Sequence, residues 1–122
     1  MVAIAGGIGF LAPGVWAMVD PRSFFAALAA FEPYNQHFLQ DIGAFQIGLG
    51  AVLLLGAWVR ATAPTIALLG VGVGAAAHSL SHVIGRDLGG TPQSDLPLFS
   101  MMAVLLLAAG WARWRGERIP AR

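Results

Sequence analysis

Four long apolar stretches, separated by short polar segments, make up most of the chain. Each has close to the roughly 20 residues that a helix needs to cross the hydrocarbon core of a bilayer. We therefore predict four membrane-spanning helices, the first to fourth spans, at about residues 2–19, 37–59, 64–85 and 96–114. Since these spans use most of the 122 residues, we expect a single membrane domain over residues 1–122.

A short amphipathic segment follows the first span. Asp20 is suited to cap a helix, and Pro21 is suited to its first turn, where the missing N–H has no cost. Phe24 and Phe31 then recur at helical spacing. We predict an interfacial helix over about residues 21–32. The expected fold is all-α: an integral membrane four-helix bundle with this short helix between its first two spans.

Composition agrees with a membrane protein and narrows its chemistry. The chain is 57% hydrophobic and 11% charged, and its mean hydropathy is +0.73, which is too apolar for a water-soluble domain. It has no cysteine, which excludes disulfides, thiolate ligands and iron–sulfur clusters. A net charge of +1 gives no reason to expect nucleic acid as a partner. The lipid bilayer is the expected surrounding.

The arginines predict an orientation. Four spans place both termini and the loop between the second and third spans on one side, and that side carries Arg60, Arg113, Arg115, Arg118 and Arg122. The other side carries only Arg22 and Arg86. The positive-inside rule therefore predicts a multi-pass protein of the cell membrane with both termini in the cytoplasm.

Histidine and aspartate residues recur four positions apart on two neighbouring spans. His37 and Asp41 lie near the start of the second span, and His78 and His82 lie near the end of the third. Residues four apart share one face of a helix, and the topology places both pairs in the outer half of the membrane. An ionisable group at membrane depth is a functional candidate. We predict that the two pairs, with Arg86 nearby, form one binding site in which His78 is more buried than His82.

Two interpretations of this site stay open. His78, His82, Asp41 and His37 could supply four ligands to Zn²⁺ or another divalent metal, or the histidines could bind haem. The same groups could instead form a hydrogen-bonded polar cluster without a cofactor. No glutamate follows His78, so the zinc-protease motif and its general base are absent.

Pairs of small residues predict where helices approach closely. Ala44 and Gly48 form such a step in the second span, as do Gly70 and Gly74 in the third. We therefore expect the second and third spans to be the tight pair. On this basis Gly74→Leu should damage the fold more than Gly56→Leu.

One segment carries a family resemblance. The run Gln40-Asp-Ile-Gly-Ala-Phe-Gln-Ile-Gly-Leu-Gly50, at the start of the second span and after an interfacial segment, resembles the DoxX-like group of small bacterial four-helix membrane proteins. The resemblance implies the same fold. Some such proteins accompany oxidoreductase systems, so it also implies association with membrane partners. It carries no catalytic residue onto this sequence.

Three functions are compatible with these patterns. The shortage of catalytic groups favours a membrane accessory or binding protein that acts through other membrane subunits or through self-association. The histidines and Asp41 keep a metal- or haem-binding redox component open. A small oligomeric transporter or channel is the third possibility, because four helices enclose little volume by themselves. Whether the chain catalyses a reaction is left open.

Overall fold

The computed structural model describes residues 1–59 and 61–118, and within these ranges the chain is helical apart from short connections. Five helices follow one another: α1 (Val2–Val19), α2 (Pro21–Leu28), α3 (Gln36–Trp58), α4 (Ala63–Ile84) and α5 (Pro92–Arg118). All except α2 are long and apolar enough to cross a membrane. The predicted all-α fold is therefore confirmed. Arg60 and Arg122, which contributed to the predicted orientation, lie outside the described residues.

Helix α1 packs along α3 through two pairs of glycines. A Cβ atom on Gly50 would lie 2.7 Å from the carbonyl oxygen of Gly7, and one on Gly43 would lie 2.8 Å from the carbonyl oxygen of Gly14. The backbones therefore touch at both levels. Lipid tails are as apolar as the side chains of these spans, so such close packing, more than apolar burial, holds membrane helices together.

Helix α4 packs along α5 in a different way, with leucines inserted opposite glycines. Gly72 receives the side chain of Leu107, and Gly110 receives the side chain of Leu69, with closest approaches of 2.9 and 2.8 Å to a built Cβ. Farther along the same contact, the Ser79 and Ser100 hydroxyl oxygens are 2.7 Å apart and share a hydrogen bond. The fold is thus built from two tight antiparallel pairs.

The two pairs meet at a small apolar core. Leu53 of α3, Leu68 and Val71 of α4 and Leu106 of α5 are all buried there, and Leu53 and Leu106 are the largest fully buried side chains in the described part of the chain. Outside this core few residues of the spans are buried. In each of the four apolar windows at most 33% of the residues are buried, which leaves most of the helical surface to lipid or to partners.

The expected tight pairing of the second and third spans is wrong. Contacts of α3 with α4 are fewer than those of α1 with α3 or of α4 with α5. A Cβ atom on Gly48, Gly70 or Gly74 would meet nothing within 4 Å, whereas one on Gly56 would lie 2.7 Å from the Cβ of Ala67. At these glycines α3 and α4 touch only near the connecting turn. The expected order of damage for Gly74→Leu and Gly56→Leu is therefore reversed.

Helix α2 begins as predicted. The Asp20 carboxylate accepts a hydrogen bond of 3.1 Å from the Ser23 backbone N–H, and Pro21 occupies the first turn. Hydrogen bonding by Ser23 lowers the pKa of the Asp20 carboxyl below its ordinary value. The helix ends at Leu28, four residues before the predicted end near residue 32, and residues 29–31 are not helical.

Helix α5 begins earlier than the sequence predicts. Its first residue is Pro92, so Pro97 lies inside the helix instead of in its first turn. Asp95 stabilises this start by accepting hydrogen bonds of 2.9 Å from both the backbone N–H and the hydroxyl of Thr91. The aspartate thus reaches back to the residue that precedes the helix, which resembles a capping box.

Candidate functional site

Two imidazole rings lie together in the last two turns of α4. The ring centroids of His78 and His82 are 4.8 Å apart. Phe99 of α5 lies against both, with its centroid 4.5 Å from that of His78 and 4.7 Å from that of His82. The four-residue spacing places both histidines on one face of α4, and the α4–α5 packing brings Phe99 to them.

A carboxylate from α5 lies beside this pair. The Asp95 Oδ2 atom is 3.9 Å from the Nδ1 atom of His82. This separation is longer than a hydrogen bond but allows a protonated imidazole and a carboxylate to attract each other. The Thr91 hydrogen bonds that stabilise the start of α5 also fix the position of the carboxylate. We use the name imidazole cluster for His78, His82, Asp95 and Phe99, together with Phe31, whose ring lies near that of His82.

The cluster is covered from the loop side. The Phe31 ring centroid is 6.1 Å from that of His82. Gly90 fits beneath the ring with φ +74°, and a Cβ atom there would lie 2.7 Å from Phe31 Cζ and 3.2 Å from Asp95 Oδ2. As a result the side chains of His82 and Asp95 are only 15% and 14% exposed.

The predicted order of burial of the two histidines is wrong. His78 is exposed, whereas His82 lies in the covered part of the cluster. Phe31 and the Gly90 loop cover His82, but His78 lies one turn farther along α4 and contacts only His82 and Phe99 among the rings. His78 therefore presents one side of its ring outward while its other side is packed.

The other predicted pair lies elsewhere. The Nε2 atom of His37 is 3.6 Å from Asp41 Oδ2, and these side chains are 87% and 54% exposed. They pair with each other on the surface of α3. The Arg86 Nε atom is 3.7 Å from the Oδ2 atom of its neighbour Asp87, and both side chains are well exposed. None of the three contributes to the imidazole cluster in the structure.

The four-ligand arrangement of His37, Asp41, His78 and His82 is therefore not formed. Among residues 1–59 and 61–118, no group of three or more histidine, aspartate or glutamate side chains is placed to hold a metal ion. The physical reason is the helix pairing. Because α4 packs on α5 and α3 packs on α1, the carboxylate next to His82 comes from Asp95 and not from Asp41.

Sequence reasoning missed Asp95 and Phe99 as members of the site, although a signal was present. The two residues are four positions apart on α5, as His78 and His82 are on α4. Two such spacings on consecutive antiparallel helices can meet face to face. The structure gives Asp95 two roles, since it accepts hydrogen bonds at the start of α5 and also lies beside His82.

A second feature runs along the outer surface of α4. Gly70, Gly74 and His78 follow one another at intervals of four residues, and all three are exposed. No hydrogen bond joins the His78 ring nitrogens to the described part of the chain. We call these three residues the glycine–histidine face. It combines two open glycine positions in an apolar helix with an imidazole at one end.

Comparison of the chain with protein-family models, with curated proteins and with solved structures found no match. Function is therefore inferred from the geometry of the chain itself.

Proposed function

We propose that this chain is a small integral membrane accessory protein of the cell membrane that docks against another membrane-spanning helix through its glycine–histidine face. One observation carries the proposal: Gly70 and Gly74 lie within an apolar span, and a Cβ atom on either would meet nothing within 4 Å. Membrane helices associate chiefly where small residues let two backbones approach. Gly9, Gly48 and Gly116 are open as well, but each stands alone, whereas Gly70 and Gly74 lie four residues apart on the helix face that carries His78.

His78 supports the same face. An imidazole that faces hydrocarbon is unfavourable, and polar residues in spans usually point to a helix partner or a water-filled cavity. A docked helix could offer a hydrogen-bond partner to the ring nitrogens of His78 and exclude lipid from them. The face would then combine close backbone contact with one polar contact.

The rest of the imidazole cluster fits a supporting role in this proposal. Phe99 packs against the His78 ring and limits the directions it can take, and Asp95 is placed to attract a protonated His82. Rigid placement of a contact residue lowers the conformational entropy lost on binding. His82 and Asp95 are therefore proposed to position His78 instead of contacting the partner themselves.

The partner in this proposal is another membrane subunit or a second copy of the chain. The resemblance to the DoxX-like group is compatible with this role, because some of those proteins accompany other membrane proteins. The proposed orientation, with both termini in the cytoplasm, places His78 in the outer half of the bilayer. A metal or haem site gains no comparable support, since three ligand groups are not gathered in residues 1–59 and 61–118.

The test compares glycines that are equally open in the isolated chain. Gly74→Leu fills the proposed face, and Gly9→Leu adds the same side chain to an open position on α1. Native gels and affinity purification from membranes in mild detergent should show a complex larger than the monomer for the parent chain and for Gly9→Leu. The complex should fall about tenfold for Gly74→Leu, because a leucine in a close helix crossing typically costs about 1–3 kcal/mol. A complex retained by Gly74→Leu, or lost equally in both variants, would contradict the proposal.

A further inference from the structure

A cleft opens at the opposite end of the bundle from the imidazole cluster. Its volume is about 280 Å³, and all four spans line it: Val2 and Ile4 from α1, Ala57 from α3, Leu68 from α4, and Ala109 and Arg113 from α5. Among the described residues that line it, Arg113 has the only charged side chain. The cleft is therefore apolar along its walls, with the Arg113 guanidinium at one point.

Arg113 is held in place by three neighbours. Its Nε donates a hydrogen bond of 3.3 Å to the Thr65 hydroxyl, and its Nη2 donates to the carbonyl oxygen of Ala61 at 3.3 Å and to the Glu117 carboxylate at 3.4 Å. Thr65 in turn donates to Glu117 at 2.7 Å. A guanidinium has five N–H groups, and these bonds leave those of Nη1 for a further acceptor. The Arg113 side chain is still 46% exposed.

Two tryptophans next to Arg113 on α5 indicate the depth of the cleft in the membrane. Trp111 and Trp114 lie on either side of Arg113 in the sequence, and their ring centroids are 4.7 Å apart. Tryptophans near the ends of spans mark the boundary between hydrocarbon and water. Arg113 therefore lies at the level of lipid headgroups, with the apolar walls of the cleft beside it.

We propose that this cleft binds one anionic phospholipid, with its phosphate at Arg113 and the first part of an acyl chain along the apolar wall. Basic pockets between membrane helices are typical sites for anionic headgroups. The cleft is smaller than a phospholipid, so the rest of the chain would continue along exposed side chains such as Ile4, which is 51% exposed. The Glu117 carboxylate would repel the phosphate and so lower the affinity for the lipid. This site is independent of the glycine–histidine face.

Native mass spectrometry of the detergent-purified chain tests the proposal with phosphatidylglycerol, phosphatidylcholine and free glycerol phosphate as probes. The parent chain should bind phosphatidylglycerol at least about fivefold better than phosphatidylcholine. Arg113→Gln should lose most of this preference, and Glu117→Gln should increase binding. Arg115→Gln is the matched control, because it removes the same charge two positions along α5 from a residue that does not line the cleft, and it should bind as the parent does.

Arg113 also donates a hydrogen bond to the turn between α3 and α4, so its substitution can disturb the fold. Val2→Trp provides a second test that leaves Arg113 in place. Val2 is 37% exposed at the cleft, and a tryptophan there should fill the space without removing a charge or a hydrogen bond. It should lower phosphatidylglycerol binding as Arg113→Gln does. Equal binding of both lipids, unchanged binding in Val2→Trp, or equal loss in Arg115→Gln would overturn the proposal. Binding of free glycerol phosphate with the same dependence on Arg113 would identify a soluble anion, and not a lipid, as the occupant.

Discussion

Glycines in this chain fall into two groups according to what a side chain would meet. A Cβ atom on Gly7, Gly43, Gly50 or Gly56 would lie within 2.8 Å of an atom of a neighbouring helix, so even a methyl group would clash. A Cβ atom on Gly70 or Gly74 would meet no atom from another part of the chain within 4 Å, and the same holds for Gly9, Gly48 and Gly116. The first group is explained by the fold of the chain itself, and in the second group Gly70 and Gly74 are explained by the proposed contact with another helix.

Stability measurements can separate the two groups. Gly56→Leu should lower the thermal unfolding temperature in detergent, because its first side-chain atom would already lie 2.7 Å from Ala67. Overpacking of this kind typically costs about 1–3 kcal/mol. Gly74→Leu should unfold within a few degrees of the parent, as followed by circular dichroism. If Gly74→Leu is the less stable variant, the assignment of Gly74 to an open surface is wrong.

Residue patterns predicted part of the imidazole cluster and missed the rest. The spacing of His78 and His82 places them on one face, because helical geometry is local. Their partners could not be derived in the same way, since Asp41 and Asp95 are equally available in the sequence. Tertiary packing decides between them, and it selects Asp95, with His82 Nδ1 at 3.9 Å.

At the scale of the helices, the position of the imidazole cluster depends on which spans pack together. Apolar length predicted which segments form spans, because the bilayer sets that length. It did not predict which spans pack together, because every apolar face is equally compatible with lipid. The signal for α1 and α3 was the seven-residue separation of Gly7 from Gly14 and of Gly43 from Gly50, which meet in antiparallel register.

The α1–α3 contact can be tested within one helix. Gly43→Val should lower the unfolding temperature, because its Cβ would lie 2.8 Å from the Gly14 carbonyl oxygen. Gly48→Val is the control, since it makes the same change in α3 where nothing lies within 4 Å. Thermal unfolding of both variants in the same detergent gives the comparison. Equal loss of stability would mean that β-branching in α3, and not its contact with α1, causes the effect.

At the scale of the whole molecule, most helical surface is left uncovered. No more than 33% of any apolar window is buried within the chain. Large side chains cover much of the exposed surface, as expected for contact with lipid, but the glycine–histidine face interrupts them with two open glycines and an imidazole. Gly9 and Gly48 also interrupt the large side chains, but the combination of two open glycines one turn apart with an imidazole distinguishes this face as one suited to a helix.

The proposed orientation of the molecule has a direct test. The chain has no cysteine, so single cysteines at Thr62 and Thr91, both exposed, can be labelled uniquely. A membrane-impermeant maleimide applied to intact cells should label Thr91→Cys and leave Thr62→Cys unlabelled until the cells are opened. Labelling of Thr62→Cys alone would reverse the orientation and move the imidazole cluster to the cytoplasmic half of the membrane.

Site-specific photo-crosslinking in native membranes shows whether the glycine–histidine face contacts another helix. A photo-reactive amino acid replaces Val73, which is 63% exposed beside the open glycines, or Ile8, which is 56% exposed on α1. We expect a discrete protein adduct from position 73, whose mass distinguishes a second copy from another subunit, and only lipid adducts from position 8. The position 73 adduct should disappear when Gly74→Leu is added. An adduct that forms equally from both positions, or one that persists with Gly74→Leu, would contradict the proposal that this face docks a helix.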